Sequence, residues 1–454
     1  MERIKKGQSR AGQNLLTGVC LAVLAGLFAL WWWQNPPRSP YAQAAALLSA
    51  GLFALLGVRF IPQWMKAWRG ESEGGQLAQP DRATCFKLFA VFLLAGALYY
   101  LAGYLLQMAA GRSIGTALGF DAWVTGDVNQ YQDIARRGGY LSEGPWDQLV
   151  QLVFFPGYPM LVRAFSWLVQ DYLAAAFVVS ALSAAGAACV LYKLARIDLP
   201  VDAALKTVKF QLILPGAFSL WAPMSDSLFL LLTLSCLYLA RRRRFVLAGL
   251  LGACASFTRL PGLLVLVPVL FEGIADTLRQ RPPLSKTLGR LAALLLIPLG
   301  FAAYCGVNYA VSGDPLRFLY YQSEHWGQRL GYFFNTAAYQ ADYAVSYLQS
   351  GDVQGFMGLW LPNLLYHFAA LGVMAAAVKR VRPSYTAYFI AYFIATIGAT
   401  WLLSGPRYLM AAFPLSFAVA ALAQKRWADR LATGLCLVAN GLYFYAYLAH
   451  WAVY

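Results

Sequence analysis

The chain has 454 residues, 60% of them apolar, and a mean hydropathy of +0.53. Charged residues make up 12%, against roughly 25% in ordinary globular proteins, which excludes a soluble enzyme and a disordered chain. The net charge of +16 sits in short basic clusters between apolar runs, so it marks orientation in a membrane and not a nucleic-acid partner. The composition predicts an all-α polytopic membrane protein.

The N-terminal run Met1-Glu2-Arg3-Ile4-Lys5-Lys6 precedes an apolar stretch closing on Trp31-Trp32-Trp33, with no small-residue cleavage site. It reads as a retained anchor and not a signal peptide. Further apolar runs near 41–60, 84–110, 172–195, 291–311, 361–379, 384–403, 406–424 and 431–452 are long enough to span. Between 207 and 276 the apolar stretch is broken at Pro215-Gly216, Ala222-Pro223, Arg241 to Arg244 and Pro261-Gly262. Four shorter spans are expected there (207–222, 225–241, 245–257 and 262–276), tilted or re-entrant and covered by neighbours. The total is about 13 transmembrane helices.

Basic residues give the sidedness. Starting inside, the cytoplasmic segments hold Arg3 to Arg10, Lys66/Arg69/Arg82, Arg196/Lys206, Arg241 to Arg244, Arg279 to Arg290, Arg380/Arg382 and Lys425 to Arg430. The alternation puts the N-terminus in the cytoplasm and the C-terminus outside. It also makes 152–169 an interfacial helix, because a span there would move the Arg241 block outward. Residues 1–83 form a tail and an extra helical hairpin, and 84–454 the core, with two large outer loops at 111–171 and 312–360. No inverted repeat of the kind common in secondary transporters is visible, so chemistry is expected in the two loops and the helix ends beneath them.

The seven cysteines all lie in apolar stretches, with no Cys-x-x-Cys or Cys/His cluster; they read as packing residues. No cofactor or divalent metal is required by the sequence. In the first loop, residues 128–137 predict a short surface helix with Tyr131, Ile134 and Ala135 on one face. Asp127 stands in the N-cap position, either as an ordinary cap or as a carboxylate ready to accept a proton. Pro156-Gly157-Tyr158-Pro159 fixes a non-helical lead into the interfacial helix.

Taken together, Asp127-x-x-x-Tyr131-x-x-Ile134-Ala135-x-x-Gly138 and Phe154-Phe155-Pro156-Gly157-Tyr158-Pro159 resemble the second mannosyltransferase of GPI-anchor synthesis (the PIG-V-like family) and its bacterial relatives, within the GT-C superfamily. Four further pieces follow in order: Ala222-Pro223-Met224-Ser225-Asp226, Thr258-Arg259-Leu260-Pro261-Gly262, Gly313-Asp314 through Gln322 to Trp326, and Ser404-Gly405-Pro406-Arg407-Tyr408. The resemblance covers roughly 115–425. It departs at Gly126, where the family usually has Trp before the acid, and Asp121 in Phe120-Asp121-Ala122-Trp123 is a competing carboxylate.

The resemblance implies a GT-C fold and an inverting glycosyltransferase, mannosyl- or other hexosyl-transferring, that uses a polyprenyl-phosphate-sugar donor. The acceptor would be a hydroxyl on a lipid, glycan or protein. Asp127 would be the catalytic base. Arg259 and Arg407, at helix breaks where an isolated Arg is costly, would hold the donor phosphate, with His325 as a further donor. Tyr131, Tyr158, Asp226, Glu324 and Trp326 would contact substrate. Tyr339, Tyr343 and Tyr347 recur at helical spacing and read as an interfacial aromatic belt. The absence of an Asn-x-Ser/Thr sequon favours a bacterial plasma membrane. A polyprenol-linked lipid or oligosaccharide transporter is the alternative; it would need the groove and the arginines but not Asp127.

Overall fold

The computed structural model of the chain describes residues 2–37, 39–69, 81–113, 115, 120–140, 150–451 and 453, with side chains from 11 onward apart from Asp121. Part of the first loop, including Ser142, Glu143 and Asp147, lies outside the described residues. Among the described residues the chain is helical without strands; one antiparallel bridge joins Leu330 to Ala399.

Three long helices come first: α1 (Glu2–Gln34), α2 (Pro40–Trp68) and α3 (Arg82–Ala109). Polar caps start α2 and α3, since the first turn of a helix has unpaired N–H groups. Ser39 accepts from the Ala42 N–H at 3.0 Å, and Asp81 accepts from Ala83 and Thr84. The first loop contributes α4 (Asp127–Arg137) and α5 (Gly157–Val169), and α6 (Tyr172–Ala195) returns through the bundle. At 13 residues, α5 is ~20 Å long, too short to span; Met160, Trp167 and Leu168 stand exposed on it, as expected for an interfacial helix.

The broken central region forms α7 (Val201–Ile213), α8 (Asp226–Arg241), α9 (Phe245–Thr258) and α10 (Leu266–Gln280). A 3₁₀ segment, Leu260–Val265, leads into α10. Helix α8 packs between α6 and α9, and its Leu228, Phe229, Leu230, Leu234 and Leu237 are buried. Then come α11 (Leu284–Leu294) and α12 (Leu296–Ser312). Small residues let α9 approach α11 and α12 closely: Gly249 lies against the Ala293 carbonyl of α11, and Gly300 of α12 against that of Ala253.

The second loop carries α13 (Arg317–Trp326) and α14 (Phe333–Ser350). The chain closes with α15 (Leu361–Ala377), α16 (Pro383–Tyr392), α17 (Gly405–Ala411), α18 (Pro414–Leu422) and α19 (Arg426–Leu448). Helices α17 and α18 meet at 82°. Among the described residues eight helices are long and apolar enough to cross a membrane, or nine if the bent α17–α18 pair is one span.

The N-terminal hairpin packs into the bundle. Helix α2 lies along α14 and α15; Trp31 donates to Asn335 at 3.0 Å, and Ser49 meets the buried His367 at 2.7 Å.

Segments expected on one side of the membrane do meet at one end of the bundle. There Arg241 makes a two-pronged contact with Asp198 at 2.7 and 2.8 Å. Arg382 holds Glu272 at 2.5 and 2.9 Å, and Ser384 also donates to Glu272. Lys209 pairs with Asp429 at 2.6 Å. Buried charges need such mutual compensation; these pairs tie α7, α8, α10, α16 and α19 together at the basic end. The other end of α8, ~22 Å away at 1.5 Å per residue, carries the two large loops.

Candidate active site

Four charged side chains form an unbroken chain at the loop end. Arg407 donates to Asp127 at 2.5 Å, and its Nε lies 3.3 Å from Asp226 Oδ2. The other oxygen of Asp226 accepts a hydrogen bond from Arg259. Asp226 is 0% exposed, Arg259 7% and Arg407 5%, whereas the Asp127 side chain is 28% exposed. The two acids and two arginines balance in charge, which is what permits ions at this depth. Only Asp127 opens toward solvent.

The local sequence explains each position. Asp127 is the first residue of α4, not its N-cap: Gly126 takes the cap place with φ 51°, and no side chain caps that turn. The expected N-cap role is therefore corrected. A positive φ favours glycine, and by turning there the chain leaves the Asp127 carboxylate free for Arg407. Val128, Tyr131, Ile134 and Ala135 form the buried face of α4, as the spacing predicts. Its far end stops at Gly138, φ 77°, where Arg163 donates to the carbonyls of Ala135 and Arg136 at 2.9 and 3.0 Å.

Asp226 is the first residue of α8, and Ser225 before it makes no side-chain cap; its hydroxyl meets Tyr131 at 2.9 Å instead. Arg259 sits in extended backbone between α9 and the 3₁₀ segment. Arg407 lies in the first turn of α17, whose start is fixed by Asn363: this side chain accepts from the Gly405 N–H at 2.7 Å and donates to the Leu403 carbonyl at 3.2 Å. Gly216, φ 84°, approaches the same turn so closely that a Cβ there would lie 3.1 Å from the Pro406 carbonyl.

Aromatic rings line the charges. The guanidinium carbons of Arg259 and Arg407 lie 5.2 and 5.7 Å from the Tyr408 ring centre, and Arg259 also lies 5.7 Å from Phe229, within cation–π range. Tyr131 and Tyr158 rings are 5.2 Å apart. Burial pushes the Tyr131 phenol well above its usual range and the Asp127 charge adds to this, so Tyr131 stays a neutral hydrogen-bonding group. Tyr158 is shared between the Ala176 carbonyl at 3.1 Å and Ser180 at 2.9 Å, which makes it a wall of the site.

The remaining expected residues lie further out, on α13. Trp326 reaches the site through Phe154, at 5.8 Å, which is in turn 5.3 Å from Tyr131. Glu324 and His325 are exposed, and His325 contacts the rings of Tyr321 and Trp326. Among the described residues no hydrogen bond or ion pair joins either to the four charges. In the tyrosine stripe, Tyr343, which is exposed, stacks on Trp360 at 4.4 Å, and Tyr339 stacks on Trp401 at 5.5 Å, so the rings join the second loop to the segment before α17.

Chemically, the arrangement offers a partly exposed carboxylate beside two anchored cations. Arg407 Nε is buried with no hydrogen-bond partner, and so is Asp226 Oδ2. The two charges face each other at 3.3 Å as a buried ion pair without good hydrogen-bond geometry. Among the described residues no group of three His, Cys, Asp or Glu could hold a metal ion.

No family model matches the chain, and no curated protein matches it. Solved structures are similar in part, and two of them are crystal structures of one protein. One is a crystal structure of ArnT from Cupriavidus metallidurans bound to undecaprenyl phosphate, at TM-score 0.46 and 18% identity, over 77% of this chain and 63% of that one. The other is apo ArnT from the same organism, at TM-score 0.45 and 16% identity, over 70% and 60%. The chain thus spans less than two thirds of the length of these structures.

Proposed function

We propose that the chain is an inverting GT-C-type glycosyltransferase of a bacterial plasma membrane, moving a mannosyl or other hexosyl group from a polyprenyl-phosphate donor to an acceptor hydroxyl on the extracytoplasmic face. The observation that carries this reading is the line Asp127–Arg407–Asp226–Arg259, a base candidate bonded directly to a phosphate-binding candidate. The ordered motifs from Asp127 to Tyr408 support it.

In the unliganded site Asp127 and Arg407 neutralise each other. A donor phosphate competes for Arg407 and releases the Asp127 carboxylate. That carboxylate takes the proton of the acceptor O–H as the acceptor oxygen bonds to the anomeric carbon from the face opposite the phosphate. The bond between that carbon and the phosphate oxygen breaks with its electron pair, leaving a lipid phosphate beside Arg407 and Arg259. Positioned bases typically contribute about 10²–10⁴-fold, and fixed donors at a leaving group a comparable or larger factor. Asp226 acts as the buried counter-ion that keeps the two arginines close.

The test is to incubate the purified protein in nanodiscs with defined polyprenyl-phosphate hexoses and measure acceptor-dependent release of lipid phosphate. Release with inversion supports the reading. Movement of intact donor across the bilayer without release would favour the transporter instead.

A further inference from the structure

A cavity of about 440 Å³ opens between three parts of the chain that are remote in sequence, one of them the turn that leads into Asp127. Gly126, the residue bonded to Asp127, forms one wall. Tyr347, Asp352 and Gln354 from the end of α14 and the turn after it form the second, and His450 and Trp451 the third. The volume lies within the ~300–1,000 Å³ range of small-molecule sites.

The C-terminal wall is a built hook. Beyond α19, His450 adopts φ 54° and turns the chain back. The Trp451 N–H then donates to the Ala446 carbonyl at 2.9 Å. Val453 is buried in a cluster with Trp123 and Val128, directly under α4. Across the cavity, Asp352 accepts from the Gly355 N–H at 2.8 Å through Oδ1. Its exposed position leaves the rest of the carboxylate available, and Gln354 is also exposed.

The lining chemistry selects a ligand class. Among the described residues no Lys or Arg lines it, so the cavity does not suit a phosphate, for which Arg407 and Arg259 are the candidates. It presents a carboxylate that accepts, an amide that donates and accepts, an imidazole, and the ring faces of Trp451 and Tyr347. That set fits a neutral, hydroxyl-rich ring such as a saccharide: hydroxyls pair with the polar groups and C–H faces lie on the aromatic rings.

We infer that this cavity is the acceptor subsite and takes a neutral saccharide, presenting one of its hydroxyls to Asp127. The inference rests on the glycosyltransferase reading and deepens it. A free glycan and the headgroup of a glycolipid offer the same chemistry.

The test uses a methyl hexoside bearing a diazirine, photolysed with the full-length protein in nanodiscs without donor, followed by peptide mapping. Label is expected on the peptides containing Asp352–Gln354 or His450–Val453. It should be displaced by methyl hexoside if the acceptor is soluble, or by an undecyl hexoside held in the disc if it is a headgroup; either displacement supports the subsite. Trp451→Ala and Gln354→Ala should weaken labelling, the former by about tenfold, equivalent to ~1.4 kcal/mol. Two variants guard against misfolding of the hook, since Gln354 makes no contact needed for the fold. Label elsewhere, or displacement by neither competitor, or equal labelling of both folded variants and the parent, overturns the inference. Because no donor is present, failure of sugar transfer with correct labelling would count against the catalytic reading and leave the saccharide site standing.

Discussion

Arg407 donates a 2.5 Å hydrogen bond to Asp127 across 280 residues of sequence. The pair joins the first turn of α4 to the first turn of α17, and so couples the first loop to the late helices. It also gives the resting site a definite state, in which the base candidate is occupied by the cation that the donor phosphate would claim.

From this pairing follows the effect of Asp127→Asn. The amide keeps the size of the side chain and can still accept from Arg407, so the protein should fold. Donor binding should be retained or tightened, because a competing anion is gone. Turnover should fall on the order of 10²–10⁴-fold. Asp121→Asn should be much milder, since that residue lacks the spacing to Tyr131 and Ile134. Single-turnover release of lipid phosphate with both variants checks this; near-parental turnover by a folded Asp127→Asn protein removes Asp127 from the base role, and equal loss at Asp121 moves the role there.

Local features of the site were legible in the sequence. The apolar spacing of α4 fixed its buried face, the break at Pro261 marked where Arg259 leaves regular helix, and Pro406 marked the start of the helix that carries Arg407. Four of the basic clusters, at Arg196, Arg241 to Arg244, Arg279 to Arg290 and Arg380/Arg382, do meet at one end of the bundle. What could not be read depends on contacts between distant segments. Neither the Asp127–Arg407 bond nor the stacking of Arg259 and Arg407 on Tyr408 has a local signal. Asn363 looks like any polar residue in an apolar run until its bonds around Gly405 are seen. Helical spacing shows that Tyr339, Tyr343 and Tyr347 share a face but not that Trp360 and Trp401 stack on it.

Asn363 gives the second prediction, as a positioning residue. In Asn363→Leu the buried Gly405 N–H loses its acceptor, costing about 1–3 kcal/mol, and the turn carrying Arg407 relaxes. Donor affinity should drop together with thermal stability. Labelling of the saccharide cavity should stay at the parental level, because no Asn363 contact reaches it. Unchanged donor affinity in the folded variant would show that Arg407 is held by its ion pairs alone.

Sidedness is checked by labelling single cysteines after the seven native ones are replaced. Cysteines at Ser142, in the first loop, and at the exposed Ser285, near the start of α11, should react from opposite faces of sealed vesicles. Ser142 should react from outside. Both on one face would overturn the basic-cluster topology and with it the extracytoplasmic active site.

The last prediction separates charge balance from phosphate binding at Arg259. Replacing Arg259 alone by Gln leaves Asp226, which is 0% exposed, short of one counter-ion. Breaking a buried pair by removing one partner typically costs about 3–5 kcal/mol, so weak donor binding in that variant could come from misfolding alone. The double variant Arg259→Gln/Asp226→Asn removes one charge of each sign and leaves a neutral hydrogen-bonding amide at both places. Its melting temperature should recover most of the loss, a coupling of the size expected for residues in direct contact. Donor affinity should not recover, because the phosphate still lacks a charge-assisted bond worth about 1.5–3 kcal/mol, or roughly 10–100-fold in Kd. If stability and donor affinity return together, Arg259 serves only to neutralise Asp226, and the phosphate is held by Arg407 alone.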